Sequence, residues 1–367
     1  MLACVVSLLL LLAANGQSVD GIGVGQQAAQ AASPATQSAD EISDIKTKAA
    51  AGDASAEYEL GRAYEMGKGV GQDAGQAAAW YSKAAEQGNA KAQDSLGVLY
   101  WLGEGVDKDK KAAVEWYRKS ARQGDANAMF NLGAAYYNGE GVNLNDSLAL
   151  AWFLLASEAG SASGEDAAKR SEQEHRQWFL SDACLTIGQM YEKGEELPRN
   201  LDLAMKWYRK AADGGNAQAQ LNLAILAMNA KNYGEARTRC EAAAKDKLSG
   251  GFACLGFIYQ NGMGVPQDAR QAIKDYDEAA RLGNRAAIHA LAELCAEDNR
   301  TKEDREVAFF WLIHFVRGGD QQSIRDAQKL RSLMNDKEWK DTEKKLALRG
   351  IDARKLDAIL QMASQPK

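Results

Sequence analysis

"AEYELGRAYEMGKGVGQDAGQAAAWYSKAAEQG", residues 56–88, contains three signals in fixed order: Leu60-Gly61, the turn Gly67–Val70, and Trp80-Tyr81. All three return thirty-six residues later, as Leu96-Gly97, Gly103–Val106 and Trp116-Tyr117, and again as Leu132-Gly133, Gly139–Val142 and Trp152-Phe153. Self-similarity at such a period marks a stack of small supersecondary units. The series continues through Ile187-Gly188, Leu223-Ala224, Leu255-Gly256 and Leu291-Ala292, with Trp207-Tyr208 and Trp311-Leu312 as later aromatic pairs, for about seven units. The step from Ala224 to Gly256 is only thirty-two residues because that unit lacks the glycine turn.

Each unit reads as a helical hairpin. Asp53, Asn89, Asp125, Asn216 and Asn284 stand at the N-cap of a first helix, where a side-chain oxygen can accept an orphan backbone N–H. Asp73, Asp109, Asn145, Asn200 and Asp268 open the second helix, and Gly88, Gly124, Gly160, Gly215 and Gly283 end it in the left-handed C′ position. One hairpin cannot bury its apolar face alone, but stacked copies share a core. Abundant Ala and Leu, with only 4 Pro in 367 residues, fit an all-α protein.

The pattern A-x-x-x-L-G-x-x-Y-x-x-G-x-G-V-x-x-D, then A-x-x-W-Y-x-K-A-A-x-x-G, resembles the Sel-1-like repeat (SLR), a relative of the tetratricopeptide repeat. The match runs from about Asp53 to Gly319. The resemblance implies a right-handed α/α superhelix of about seven hairpins acting as a non-catalytic protein-interaction scaffold. Around it the chain divides into a signal peptide (1–16), a flexible linker (17–45), repeats one to three (46–160), a helical insertion (161–180), repeats four to seven (181–319) and a C-terminal helical cap (320–367). Trp178 is expected on the apolar face of the insertion.

The apolar run through Ala14 fits the core of a secretory signal with cleavage near Gln17. Cys4 precedes that run, whereas a lipoprotein cysteine should follow it. No later stretch is long enough for a membrane span, so an exported protein, periplasmic or secreted, is expected. A net charge of −6 argues against nucleic acid as a partner. No cofactor is implied. The glycines lie between helices and recur with the repeat, which excludes a phosphate loop. His175, His289 and His314 have no metal-ligand spacing.

By analogy with the tetratricopeptide pattern, the concave face is lined three residues before, and one and four residues after, the Leu-Gly glycine. In the first four units this selects Tyr58, Arg62 and Glu65; Asp94, Val98 and Trp101; Phe130, Ala134 and Tyr137; and Leu185, Gln189 and Glu192. Trp101 stands out, because the equivalent residues are Glu65, Tyr137, Glu192, Met228 and Gln260. Trp101, Phe130 and Tyr137 are therefore expected to form an exposed aromatic patch for a protein or peptide partner in envelope assembly, host interaction or toxin immunity.

Cysteine-rich members of the same family, secreted repeats that bind or slowly hydrolyse β-lactams, supply the alternative. There each repeat bears closely spaced paired cysteines. Here Cys184 has Arg176 at the partner position, which departs from that pattern. Cys240 and Cys254 lie on helices expected to pack together and are the candidate disulfide.

Overall fold

The computed structural model describes residues 39–174, 177–297, 300–352, 356, 358 and 360. The proposed signal peptide, Cys4, His175, Arg176, the Trp178 side chain and most of the proposed linker lie outside what it describes. Eighteen helices and no strands are found among the described residues. They group into two compact units, residues 1–214 and 215–367.

In the first unit, α1 (Ala39–Ala50) precedes three hairpins: α2 (Ala54–Met66) with α3 (Ala74–Glu86), α4 (Ala90–Leu102) with α5 (Lys110–Arg122), and α6 (Ala126–Asn138) with α7 (Asp146–Glu158). Residues 39–45, expected as linker, instead form the first half of α1. Its Ile42 and Ala49 are buried with Ala56, Leu60 and Ala63 of α2, so the helix closes the open end of the first hairpin's core. After α7 come α8 (Ala162–Glu174), α9 (Gln177–Lys193) and α10 (Leu201–Asp213). Residues 161–180 therefore hold one added helix and the first residues of a lengthened α9. Both α8 and α9 pack on α7.

The recurrent residues explain themselves in this geometry. Side chains of Asp53, Asn89 and Asp125 accept the N-terminal N–H groups of α2, α4 and α6. Those of Asp73, Asp109, Asn145 and Asn200 do the same for the second helices. Each such cap contributes about 1 kcal/mol. The Leu-Gly glycine faces the ring of the partner helix: a Cβ on Gly61 would lie 2.6 Å from Tyr81, and one on Gly97 2.6 Å from Tyr117. Tyr81 and Tyr117 are fully buried as a result.

The second glycine of the turn has a different duty. Gly105 (φ 69°) seats against the Ala74 carbonyl at the start of α3, and Gly141 (φ 73°) against that of Lys110 at the start of α5. This close approach stacks one hairpin on the one before. The fourth hairpin has Glu196 at that position. Its turn is gripped instead by α5, where Arg122 donates to the Gly194 and Glu195 carbonyls and Arg118 lies 3.7 Å from Glu196.

The second unit contains α11 (Ala217–Asn229), α12 (Tyr233–Lys245), α13 (Ser249–Asn261), α14 (Ala269–Arg281), α15 (Arg285–Cys295), α16 (Lys302–Arg317), α17 (Gln321–Ser332) and α18 (Asp336–Leu348). Asn216, Asp268 and Asn284 cap as expected. Leu356 and Leu360 join the core of α14 to α18, on the segment expected to cap the last repeat.

The α11–α12 hairpin departs from the others coherently. Cys240 takes the place of the second-helix tyrosine, so Ala224 fits where a glycine is needed elsewhere; both are fully buried. At the α12–α13 junction, Lys247 (φ 59°) occupies the left-handed position held elsewhere by glycine. Leu248 then offers no side-chain cap to α13. Cys240 and Cys254 form a disulfide across this junction, with Cα atoms 5.9 Å apart. Closing that short loop restrains the unfolded chain. Converting both cysteines to serine, or reducing the bond, is expected to lower stability by about 3 kcal/mol. Urea melts with and without a thiol reductant check this; unchanged midpoints would assign the bond no stabilising role.

Candidate functional site

The first-helix stripe differs between the units. In the first unit Trp101 is 4% exposed and Phe130 2%, and Val98, Ala134 and Asp94 are also buried. The expected exposed patch of Trp101 and Phe130 is thereby corrected. Tyr58, Arg62, Glu65, Tyr137, Leu185, Gln189 and Glu192 are half-buried.

Trp101 goes inward because its position serves the hairpin's own ring. At the same register, Glu65 accepts the Tyr81 hydroxyl, Glu192 that of Tyr208, and Gln260 that of Tyr276. In the second hairpin Trp101 packs on Tyr117 instead, ring centroids 6.3 Å apart, and the buried Tyr117 hydroxyl has no hydrogen-bond partner among the described residues. Phe130 likewise packs on Phe153, at 5.5 Å. The residue varies because a tyrosine across the hairpin can be met at that register either by an acceptor for its hydroxyl or by a second ring.

Asp94 lies in the same environment. Its carboxylate accepts from Asn131 Nδ2 at 2.9 Å, joining α4 to α6. Burial raises its pKa to about 7, with the charge of Asp125 adding to the effect.

In the second unit the stripe is open. Ile225 on α11 is 40% exposed and Phe257 on α13 43%, each one residue after the small residue of its pair. Leu221, Met228, Ala253 and Gln260 flank them, half-buried. The sequence signal for these residues was the register itself, carried past the fourth unit. On α15 the stripe continues as His289 and Glu293. His289 Nδ1 lies 2.7 Å from the Asp326 carboxylate, on α17.

Other features offer less chemistry. His314 is exposed on α16. A cleft of about 760 Å³ between α14, α16 and α18 is floored by Phe309, Phe310 and Trp311. Its polar groups are engaged with one another: Asp277 accepts from Trp311 at 2.7 Å and pairs with Arg281, Glu306 pairs with Lys345, and Arg349 stacks on Phe310. The free thiols Cys184 and Cys295 are buried, and burial pushes their pKa values up to about 11 and about 12, which disfavours the reactive thiolate. Among the described residues no group of three or more His, Cys, Asp or Glu could hold a metal ion. No described helix is long and apolar enough to cross a membrane.

The family model for the Sel1 repeat matches residues 54–89, 90–125, 126–161, 181–216 and 255–284. The two hairpins it passes over are α11–α12 and α15–α16; neither has the glycine turn. Three solved structures are similar. One is a protective antigen present in uropathogenic Escherichia coli strains displaying an SLR fold, 28% identical, covering 84% of this chain and 72% of that one (TM-score 0.39). A second is a Sel1 repeat protein from Oxalobacter formigenes, 27% identical over 76% of this chain and 93% of that one (TM-score 0.32). The third is an immunity protein from Pseudomonas aeruginosa, 19% identical over 63% and 83% (TM-score 0.26). No curated protein matches the chain. With its capped hairpins, ring-facing glycines and five matched repeats, the chain belongs to the Sel1 repeat family.

Proposed function

We propose that this protein is an exported, non-catalytic scaffold that binds a protein or peptide through the solvent-facing stripe of its first helices. The observation that carries the reading is the exposure of Ile225 and Phe257 at one register on successive first helices. Large apolar side chains recurring on an open face mark an interaction surface more often than isolated ones do. The half-buried Tyr58, Arg62, Glu65, Tyr137, Gln189 and Glu192 are proposed as a contact face of the first unit by itself. Trp101, Phe130, Val98 and Asp94 support that face from beneath. Export is supported by the apolar stretch at residues 1–16 and by the disulfide, a bond that persists in oxidising compartments.

A photoreactive amino acid placed at 225 or 257 in the native host is expected to give a discrete protein adduct. The same group at Lys274, exposed on α14, should not. Equal labelling from all three sites would sink the assignment of the face. Nitrocefin turnover by the purified chain would revive the β-lactam reading instead; none is expected, since nothing among the described residues reproduces the paired-cysteine repeats.

A further inference from the structure

We propose that the face formed by α11, α13 and α15 takes a peptide segment in the polyproline II conformation, with two apolar side chains three residues apart and a basic side chain three residues further on. This rests on the reading of the first-helix stripe as the partner surface, and specifies what that surface recognises.

The first argument is charge. Neither α11 (AQAQLNLAILAMN) nor α13 (SGGFACLGFIYQN) carries a single Asp, Glu, Lys or Arg. Their hairpin partners do: Glu235, Arg237, Arg239, Glu241 and Lys245 on α12, and six charged residues on α14. Charge is absent from these two first helices and present on their partners, while α15 brings Glu293 to the third position of the face. What α11 and α13 offer instead is Ile225 and Phe257, with Asn222 three residues before the first and Asn261 four after the second. Asn222 Oδ1 accepts from Gln218 and Asn261 Nδ2 donates to the Phe257 carbonyl, which leaves the other end of each amide for a ligand. Amides suit an extended chain, whose backbone groups need partners; a helical peptide has already satisfied its own.

Spacing is the second argument. α11 touches α13, and α13 touches α15. Helices in contact lie about 8–10 Å apart, and one turn of polyproline II chain, three residues, covers about 9 Å. Side chains at every third position of such a segment share one face, so a segment crossing these helices meets the same register on each. That register reads Ile225, Phe257, Glu293. Glu293 is exposed and makes no ion pair among the described residues, so it can receive a basic side chain. Self-association fits poorly, because a two-fold axis through Phe257 would press Ile225 against the partner's Glu293 and bury an uncompensated carboxylate.

The test is selection of phage-displayed linear dodecapeptides on the full immobilised chain. Sequences with two apolar residues three apart and Lys or Arg three beyond, in either chain direction, are expected to enrich. Enrichment should vanish on the Ile225→Glu/Phe257→Glu variant, whose sites are exposed enough to leave folding intact by circular dichroism. In anisotropy titrations, Lys→Glu in a selected peptide should weaken binding about three- to tenfold at low salt, and Glu293→Lys should reverse that preference. Absence of enrichment, or an apolar spacing of seven as in a helix, overturns the proposal. If the double variant blocks binding but charge reversal has no effect, the peptide pattern falls and the scaffold reading stands. Full binding by the double variant removes both.

Discussion

Gly105→Val is expected to destabilise the first unit by about 4 kcal/mol or more, whereas Gly124→Ala should cost about 1 kcal/mol. Both glycines are left-handed, with φ of 69° and 93°. They differ in what surrounds them. A Cβ on Gly124 meets nothing within 4 Å, so alanine there bears only backbone strain. A Cβ on Gly105 would overlap the Ala74 carbonyl and crowd the Gly75 nitrogen, and backbone has no rotamer by which to move aside. The second hairpin would have to lift from the first, opening the interface that buries Leu96, Leu99 and the Ala84–Ala85 ridge. Because repeats are held by nearest-neighbour interfaces, the loss should also blur the transition. Urea melts followed by tryptophan fluorescence measure both effects. Equal costs for the two variants would show that the turn needs glycine for its dihedrals alone, with no part in stacking.

That distinction bears on how much of the molecule was legible beforehand. Leu-Gly, the glycine turn and the aromatic pair could be read as a hairpin repeat because each satisfies a demand that recurs identically: a ring to receive, a neighbour to approach, a cap to make. α1 was missed because it has little apolar surface; only Ile42 and Ala49, with the half-buried Ile45, pack on the core, too sparse a signal against Gln, Ser and Ala. Trp101 was misjudged because variability was equated with exposure. Its position varies while the ring across the hairpin stays a tyrosine: Glu65 and Gln260 accept the hydroxyls of Tyr81 and Tyr276, whereas Trp101 packs on Tyr117. Only the pairing, which no single column of residues displays, reveals a core site. The candidate face was harder still. Ile225 and Phe257 sit in the same register, which was read only through the fourth unit, and exposure at that register is set by local packing that the register does not encode.

Asp94→Asn is expected to stabilise the protein, and to do so more at pH 8 than at pH 5. Most folded carboxylates gain partners that lower their pKa; Asp94 has one amide hydrogen bond, from Asn131, and otherwise loses water. Its pKa of about 7 exceeds the ordinary value of 3.8, so between those limits the folded chain holds a proton that the unfolded chain has released. Stability must then fall as pH rises across that window, and the full penalty is present above about pH 7. A raised pKa of this size corresponds to a penalty of a few kcal/mol at pH 8, about 2–3 kcal/mol of which is absent at pH 5. Asparagine has nearly the same shape and no charge to desolvate, so it should remove the penalty and flatten the profile. Tyr117, fully buried with its hydroxyl unpartnered, and Tyr58 share this environment, and neither supplies a countercharge. Parallel urea titrations of wild type and variant at the two pH values are sufficient. A stability difference that does not change with pH would mean that Asp94 is ionised at little cost, and that water reaches it between α4 and α6.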